Sequence, residues 1–228
     1  MHPPDPRAPA APTAMQATLI IAIRHGETAW NVDARIQGHL DIPLNDTGLR
    51  QARQTARALA QEPVAAIYSS DLQRAWATAQ AIAQSTGAPL TPVRDLRERC
   101  FGDFEGHTFK QVEEQAPEQA LRWRKRDPDF APAGGESLNT LRERIARTVD
   151  GIAARHEGEQ IVLVAHGGVL DILYRLATRQ DDLRAPRTWE LGNAALNRLL
   201  WTPGGLALVG WADTAHLSSP GSRDEAHA

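Results

Sequence analysis

Two short apolar runs in this chain end the same way. Thr18-Leu-Ile-Ile-Ala-Ile23 leads into Arg24-His25-Gly26, and Gln160-Ile-Val-Leu-Val-Ala165 leads into His166-Gly167-Gly168. Neither run alternates polar with apolar residues, so each reads as a strand covered on both faces. Strands of that kind belong to parallel sheets, which need helices to cross between them. Helical patterns stand where that rule requires them. Leu49, Ala52, Ala56 and Leu59 share one face before Pro63 forbids continuation. Val64 to Tyr68 reads as another strand, and Leu72 to Thr86 as an alanine-rich helix that stops at Gly87 ahead of Pro89. Ser137 caps a helix whose apolar face carries Leu138, Leu141, Ile145, Val149 and Ile152, and Val169 to Leu176 continues helically after the second His-Gly. Ala195 to Trp201 and Leu206 to Trp211 form a terminal hairpin around Pro203-Gly204.

The expected fold is α/β: a three-layer α/β/α sandwich with a mostly parallel central sheet and a small helical lid at about residues 103–135. In the lid, Phe109 to Gln115 and Glu118 to Arg126 read as short helices separated by Pro117. Sheets of this type bind ligands at the carboxyl ends of their strands, where both His25 and His166 emerge. The two imidazoles are therefore expected to share one pocket.

A length of 228 residues suits one domain with a subdomain. Residues 18–213 are assigned to it, with residues 1–17, rich in proline and alanine, as a disordered leader and 214–228 as a disordered tail. Twenty-five Lys and Arg against 28 Asp and Glu leave a net charge of −3, which supplies no general attraction to nucleic acid or anionic lipid. Any anion site has to be local. The basic run Arg122-Trp-Arg-Lys-Arg126 accordingly reads as a solvated lid helix or a substrate contact, and the six tryptophans as packing residues. No segment approaches the ~18 apolar residues of a membrane span. Cys100 is the only cysteine, so there is no internal disulfide framework; it reads as a small packing residue, with a redox-sensitive thiol as the alternative. A soluble cytoplasmic protein is expected, its oligomeric state open and a homodimer included.

What two strand-end histidines can do is narrowed by the motifs around them. No His-x-x-x-His or Glu-x-x-His spacing accompanies either, so neither a metal nor another cofactor is expected. Gly-x-Gly-x-x-Gly, Gly-x-x-x-x-Gly-Lys-Ser/Thr and Gly-x-Ser-x-Gly are all missing, which removes dinucleotide, phosphate-loop and serine-hydrolase readings. What remains is attack on phosphorus by His25 itself. A neutral imidazole can present one nitrogen while the other donates to a backbone carbonyl. Arginine forks such as those of Arg24 and Arg74 match the equatorial oxygens of a transferring phosphoryl group.

The blocks Arg24-His25-Gly26-Glu27-Thr28 with Trp30-Asn31, Gln37-Gly38 through Pro43-Leu44, and Ser69-Ser-Asp-Leu-Gln-Arg74-Ala follow in order. Leu96-Arg-Glu98 through Glu105-Gly106, Gly134-Gly-Glu-Ser137 and Ala165-His166-Gly167-Gly168 complete the set. Over about Thr18 to Trp211 the chain resembles the histidine phosphatase superfamily, which includes cofactor-dependent phosphoglycerate mutases and many phosphomonoesterases. The resemblance implies a phosphohistidine at His25, with Glu98 as acid and base and His166 beside them in the catalytic set. It further implies that Arg24, Asn31, Gln37, Gly38, Arg74 and Gly167 bind the phosphorylated substrate, a small metabolite. Glu105 is the rival carboxylate to Glu98.

Hydrolysis and mutase chemistry share this machinery and differ in how well water is excluded. The long insertion that the family's mutases carry ahead of Gly-Glu-Ser is missing here, since only Asp129 to Ala133 separate Pro128 from Gly134. A metal-independent phosphomonoester hydrolase is therefore expected. Glu98-Arg99, Arg122, Arg124 and Arg126 resemble mutase carboxylate-binding features and keep the mutase as the alternative. A non-catalytic phosphoester-binding protein is the third reading.

Overall fold

A computed structural model describes residues 16–218. Most of the expected leader, and residues 219–228 of the expected tail, lie outside the described residues. The remainder of that tail departs from expectation: Ala215–Leu217 form a helical turn, because Gln54 Nε2 on the neighbouring helix donates to Leu217 O (3.3 Å) and fixes it there.

A six-stranded sheet is built from β1 (Thr18–Arg24), β2 (Val64–Ser69), β3 (Leu90–Pro92), β4 (Gln160–Ala165), β5 (Leu196–Thr202) and β6 (Gly205–Asp213), in the order β3-β2-β4-β1-β5-β6. β1, β2, β3 and β4 run parallel, and the β5–β6 hairpin adds antiparallel to β1. The α/β architecture is the expected one; the short β3 was not foreseen, its three residues being too few to show a pattern.

The unbroken apolar runs are explained by the layers. On one side, Ile21 and Ile23 of β1 and Val162 and Val164 of β4 pack under α2 (Asp46–Leu59) and α3 (Gln73–Thr86). On the other, Ile20, Ala22, Ile161 and Leu163 pack under α6 (Leu138–Ala153) and α7 (Gly167–Ala177). Every residue of both strand cores is thus buried, whichever way it points. Capping follows the sequence. Asn45 Oδ1 accepts from Gly48 N, Ser137 Oγ accepts from Thr140 N, and Gly87 closes α3 at φ +74°.

The short helix α1 (Ala29–Val32) follows β1, and the lid holds α4 (Phe109–Gln115) and α5 (Pro117–Arg124), the latter with proline at its first position. The lid has a core of its own, in which Phe104, Val112, Ala120 and Phe130 meet Ile36, Phe101, Phe109 and Trp123. No helix among the described residues is long and apolar enough to cross a membrane.

The loop after β1 is seated by glycine against glycine. A Cβ on Gly48 in α2 would stand 2.1 Å from Glu27 O, and one on Gly26 would stand 2.5 Å from Gly48 O. Alanine in place of a helical glycine ordinarily stabilises by about 1 kcal/mol. Here Gly48→Ala is expected to reverse that sign and cost about 1–3 kcal/mol through overpacking. Urea midpoints of the two proteins measure it directly, and a more stable variant contradicts the close approach.

Candidate active site

Parallel pairing brings the two histidine-bearing ends together. Arg24 is the register partner of Ala165, and His25 N donates to Ala165 O (3.0 Å). The imidazoles of His25 and His166 consequently lie with centroids 5.2 Å apart, both buried. His25 Nδ1 lies 2.7 Å from Gly26 O. A carbonyl only accepts, so Nδ1 carries the hydrogen and Nε2 keeps its lone pair. His166 Nε2 lies 2.8 Å from Ser70 Oγ, which already accepts from Leu72 N (3.3 Å). The hydroxyl hydrogen is free to go to Nε2, and in that tautomer His166 Nδ1 is a donor.

Around these rings stand guanidinium groups aimed by backbone carbonyls. Arg74, fully buried at the start of α3, donates from Nη1 to Leu40 O (2.8 Å) and from Nη2 to Gly38 O (2.7 Å). Gly38 reaches that position at φ +51°, where a Cβ would stand 2.0 Å from Glu105 Oε1. Arg24 donates from Nη1 to Leu191 O (2.6 Å). Arg24 Nε, Arg74 Nε and His166 Nδ1 are buried without a hydrogen-bond partner among the described residues. Buried donors are rarely left so, because each costs its desolvation. Three such donors, on the two cavity-lining arginines and on the ring beside His25, are chemically suited to receive an anion.

The two carboxylates that rivalled each other separate cleanly. Glu98 faces a cavity of about 170 Å³ lined also by Arg24, His25, Asn31, Gln37, Gly38 and Arg74. Both of its oxygens accept from Gly168 N at 3.0 Å, near the start of α7. Glu105 instead accepts from His39 N and Phe101 N (both 2.9 Å), tying the lid base to the Gln37-Gly38 loop. Asn31 lines the cavity with its Oδ1 engaged in the Thr28 capping box. Gly167 is packed between Arg24 and Glu98 without lining the cavity; its neighbour Gly168 makes the contact.

The basic lid residues are spoken for. Arg122 pairs with Asp127, Arg124 with Glu113 and Arg126 with Asp171. Buried Arg99 donates to Glu136 O (2.7 Å) and Phe130 O (2.9 Å). Of the two readings of this run, these pairings favour the solvated lid helix: Arg99, Arg122, Arg124 and Arg126 each engage a carbonyl or an acid of their own fold. Trp123 packs in the lid core as expected and in addition reaches the outer wall of the cavity with Phe101, Ile36 and Arg35. Cys100 is half-buried with Sγ 3.4 Å from Gly134 O, and burial pushes its thiol up.

Several supports had no signal in the sequence. Asn193 Nδ2 donates to His25 O (2.8 Å), Ala194 N to Arg24 O (2.9 Å), and Gly26 N to Thr78 Oγ1 (3.1 Å). A loop asparagine, a backbone amide and a threonine within α3 carry no motif that would select them. Among the described residues no group of three or more His, Cys, Asp or Glu side chains could hold a metal ion.

A profile of the histidine phosphatase superfamily (branch 1) matches residues 20–214. The chain belongs to that superfamily. It is 40% identical over 212 residues to phosphoglycerate mutase-like protein 4 of Arabidopsis thaliana, covering 89% of this chain and 88% of that protein. The metal-independent phosphoserine phosphatase of the same plant is 39% identical over 210 residues, 90% of this chain and 86% of its own length. A mycobacterial glucosyl-3-phosphoglycerate phosphatase solved in complex with VO3 superposes with a TM-score of 0.75 at 32% identity, covering 87% of this chain and all of that one. The superfamily, the fold and the phosphomonoesterase class expected above are thus those of its relatives.

Burial governs the protonation of both imidazoles. His25 is held well below the ordinary 6.5 by burial, then by Arg24 and Arg74. His166 is held well below 6.5 by burial, then by Arg74, His25, Arg24 and His39. Below pH 6.5 the unfolded chain takes up protons on these rings and the folded chain does not. Folding stability is therefore undiminished by them above that pH and falls beneath it, by up to about 1.4 kcal/mol per pH unit for each imidazole. Denaturation midpoints measured from pH 8 to pH 5 should fall in the lower half of that range; a flat profile would show that the rings are not buried neutral.

Proposed function

We propose that this protein hydrolyses a small phosphomonoester by way of a phosphohistidine at His25. The observation that carries the reading is the neutral, tautomer-fixed His25 in one cavity with Arg24 and Arg74 and beside the His166 ring, each of these three neighbours holding a buried donor without a partner among the described residues. In the first step His25 Nε2 attacks phosphorus and the P–O bond to the leaving alkoxide breaks. Arg24, Arg74 and His166 receive the equatorial oxygens, and Glu98 delivers a proton to the departing oxygen. In the second, Glu98 takes a proton from water as its oxygen attacks phosphorus, the N–P bond breaks, and inorganic phosphate leaves with His25 neutral again. Burial lowers Arg74 to about 10, which leaves it cationic throughout at neutral pH. Each proton and bond is accounted for without a metal, in keeping with a relative named metal-independent.

Hydrolysis is favoured over the mutase reading because Arg99, Arg122, Arg124 and Arg126 are all engaged within the fold. A transferring hydroxyl with a carboxylate beside it would want one of them in the cavity. We place Asn31, Gln37 and Gly38 at the substrate, Gly38 chiefly by aiming Arg74. The lone Cys100 fits a reducing compartment such as the cytoplasm.

Phosphate release from a panel of metabolite phosphates in EDTA, run beside 3-phosphoglycerate isomerisation with and without 2,3-bisphosphoglycerate, separates the readings. Release is expected, with an acid-labile label on His25 in quenched mixtures; isomerisation with negligible release would favour the mutase. Glu98→Gln should keep phosphate affinity and lose about 10²–10⁴ in kcat. Gly168→Ala tests the same carboxylate from its support, since the new Cβ would stand 2.3 Å from Glu98 Oε1 and push that flexible group aside. Its kcat should fall at least tenfold with the melting temperature held, and unchanged kcat would detach Glu98 from the chemistry.

A further inference from the structure

The dipeptide Arg24-His25 is held on one flank by β4 and on the other by a loop with no strand partner of its own. Beyond the start of β5 at Leu196, residues 191–194 take over the edge of β1. Leu191 O receives Arg24 Nη1 (2.6 Å), Asn193 Nδ2 donates to His25 O (2.8 Å) and Ala194 N donates to Arg24 O (2.9 Å). Ala194 makes its contact only by adopting φ +59°, a left-handed conformation that an L-alanine holds only when its surroundings insist on it. The residue is fully buried, so the insistence comes from packing and from its remaining backbone group, the carbonyl.

That carbonyl faces α2, where His216 Nε2 lies 3.1 Å from it and Thr55 Oγ1 lies 3.4 Å from it. Thr55 Oγ1 also lies 3.0 Å from Gln51 O and 3.2 Å from His216 Nε2; its single hydrogen goes to Gln51 O, the nearest acceptor, which leaves His216 Nε2 as the N–H nitrogen. His216 is therefore the principal donor to Ala194 O. Its own position is set by the helical turn Ala215–Leu217 and by Gln54 Nε2, which donates to Leu217 O. A second tie reaches the same loop, Trp211 Nε1 donating to Glu190 O (2.8 Å).

We propose that the turn at Ala215–Leu217 is a latch for the phosphate cradle, with His216 as a positioning residue acting through Ala194 O. His216 touches no reacting atom. It holds Ala194 in its left-handed conformation, and through residues 191–194 it keeps Arg24 and the His25 backbone aligned with Arg74. The proposal rests on the reading of Arg24 and His25 as the phosphate-binding and phosphorus-bonding groups. A latch of this kind acts on the phosphoryl end of any substrate, so its loss should be blind to the leaving group.

The test compares wild type, His216→Ala, His216→Gln, His216→Asn and Ala194→Gly/His216→Ala in the full chain, by steady-state hydrolysis of several phosphomonoesters, by orthovanadate affinity and by thermal melting. His216→Ala is expected to lose about tenfold in kcat/KM, by the same factor for every ester. Vanadate should weaken in parallel, with the melting temperature down by only a few degrees. His216→Gln, whose amide can reach Ala194 O, should stay within threefold of wild type, and His216→Asn, one carbon shorter, should not. Glycine at 194 removes the left-handed penalty and should recover most of the loss in the double variant. Should His216→Ala fail to fold, the Gln and Asn pair decides alone. Values within twofold of wild type in both Ala and Asn variants overturn the latch, as does a loss that follows melting temperature and ignores the Gln rescue. If wild type itself releases no phosphate, the hydrolase reading fails separately, and vanadate affinity still reports on the latch.

Discussion

The register between β1 and β4 is the constraint on which the site depends. Pairing Arg24 with Ala165 puts the residue that follows each strand, His25 and His166, side by side at the carboxyl ends of the two central strands. A slip of one residue would turn each side chain to the opposite face and part the imidazoles. Both faces are buried, with Ile21, Ile23, Val162 and Val164 under α2 and α3 and their alternates under α6 and α7. The spacing of the two imidazoles is thus enforced by packing on two sides at once.

On that frame the molecule accepts a local electrostatic debt to stability. Two histidines and Arg74 are buried together with the part-buried Arg24, and burial and the neighbouring cations keep both imidazoles neutral. Neutrality suits a nucleophile. The guanidinium groups cannot discharge in the same way, so their planes are pinned by carbonyls of Leu40, Gly38 and Leu191. Donors that point elsewhere are left waiting, which is the preorganisation that a developing phosphoryl charge would use.

How far the sequence could be read follows from where each interaction gets its signal. The two apolar runs, the cap at Ser137 and the stop at Gly87 are local, and each is realised in the structure. Glu98 and Arg74 were visible because motif spacing singled them out, and both line the cavity. For Arg99, Arg122, Arg124 and Arg126 two readings stayed open, because charge in a sequence does not say which acid or carbonyl will claim it in space. Trp123 was taken for packing and does pack, against Phe104 and Phe109, while its edge also meets the cavity. The ties from Leu191, Asn193 and Ala194 run through backbone atoms or a loop amide some 170 residues from their partners, and neither leaves a trace in composition or period.

The lid and the cradle share α7, and this explains why a lid of so few residues can serve. In the first turn of α7 the Gly168 N–H holds Glu98, and about one turn further on Asp171 receives Arg126 Nη2 (2.6 Å) from just beyond the lid helices. Arg175 supports Asp171 from within the same helix and carries the covering loop through Asp182 O and Ala185 O. Buried charge of this sort adds little net stability in comparison with apolar packing, yet removing one partner leaves the others stranded. Its contribution is geometric: the lid's aromatic wall and the carboxylate beneath it are referred to one helix, so neither can shift without the other.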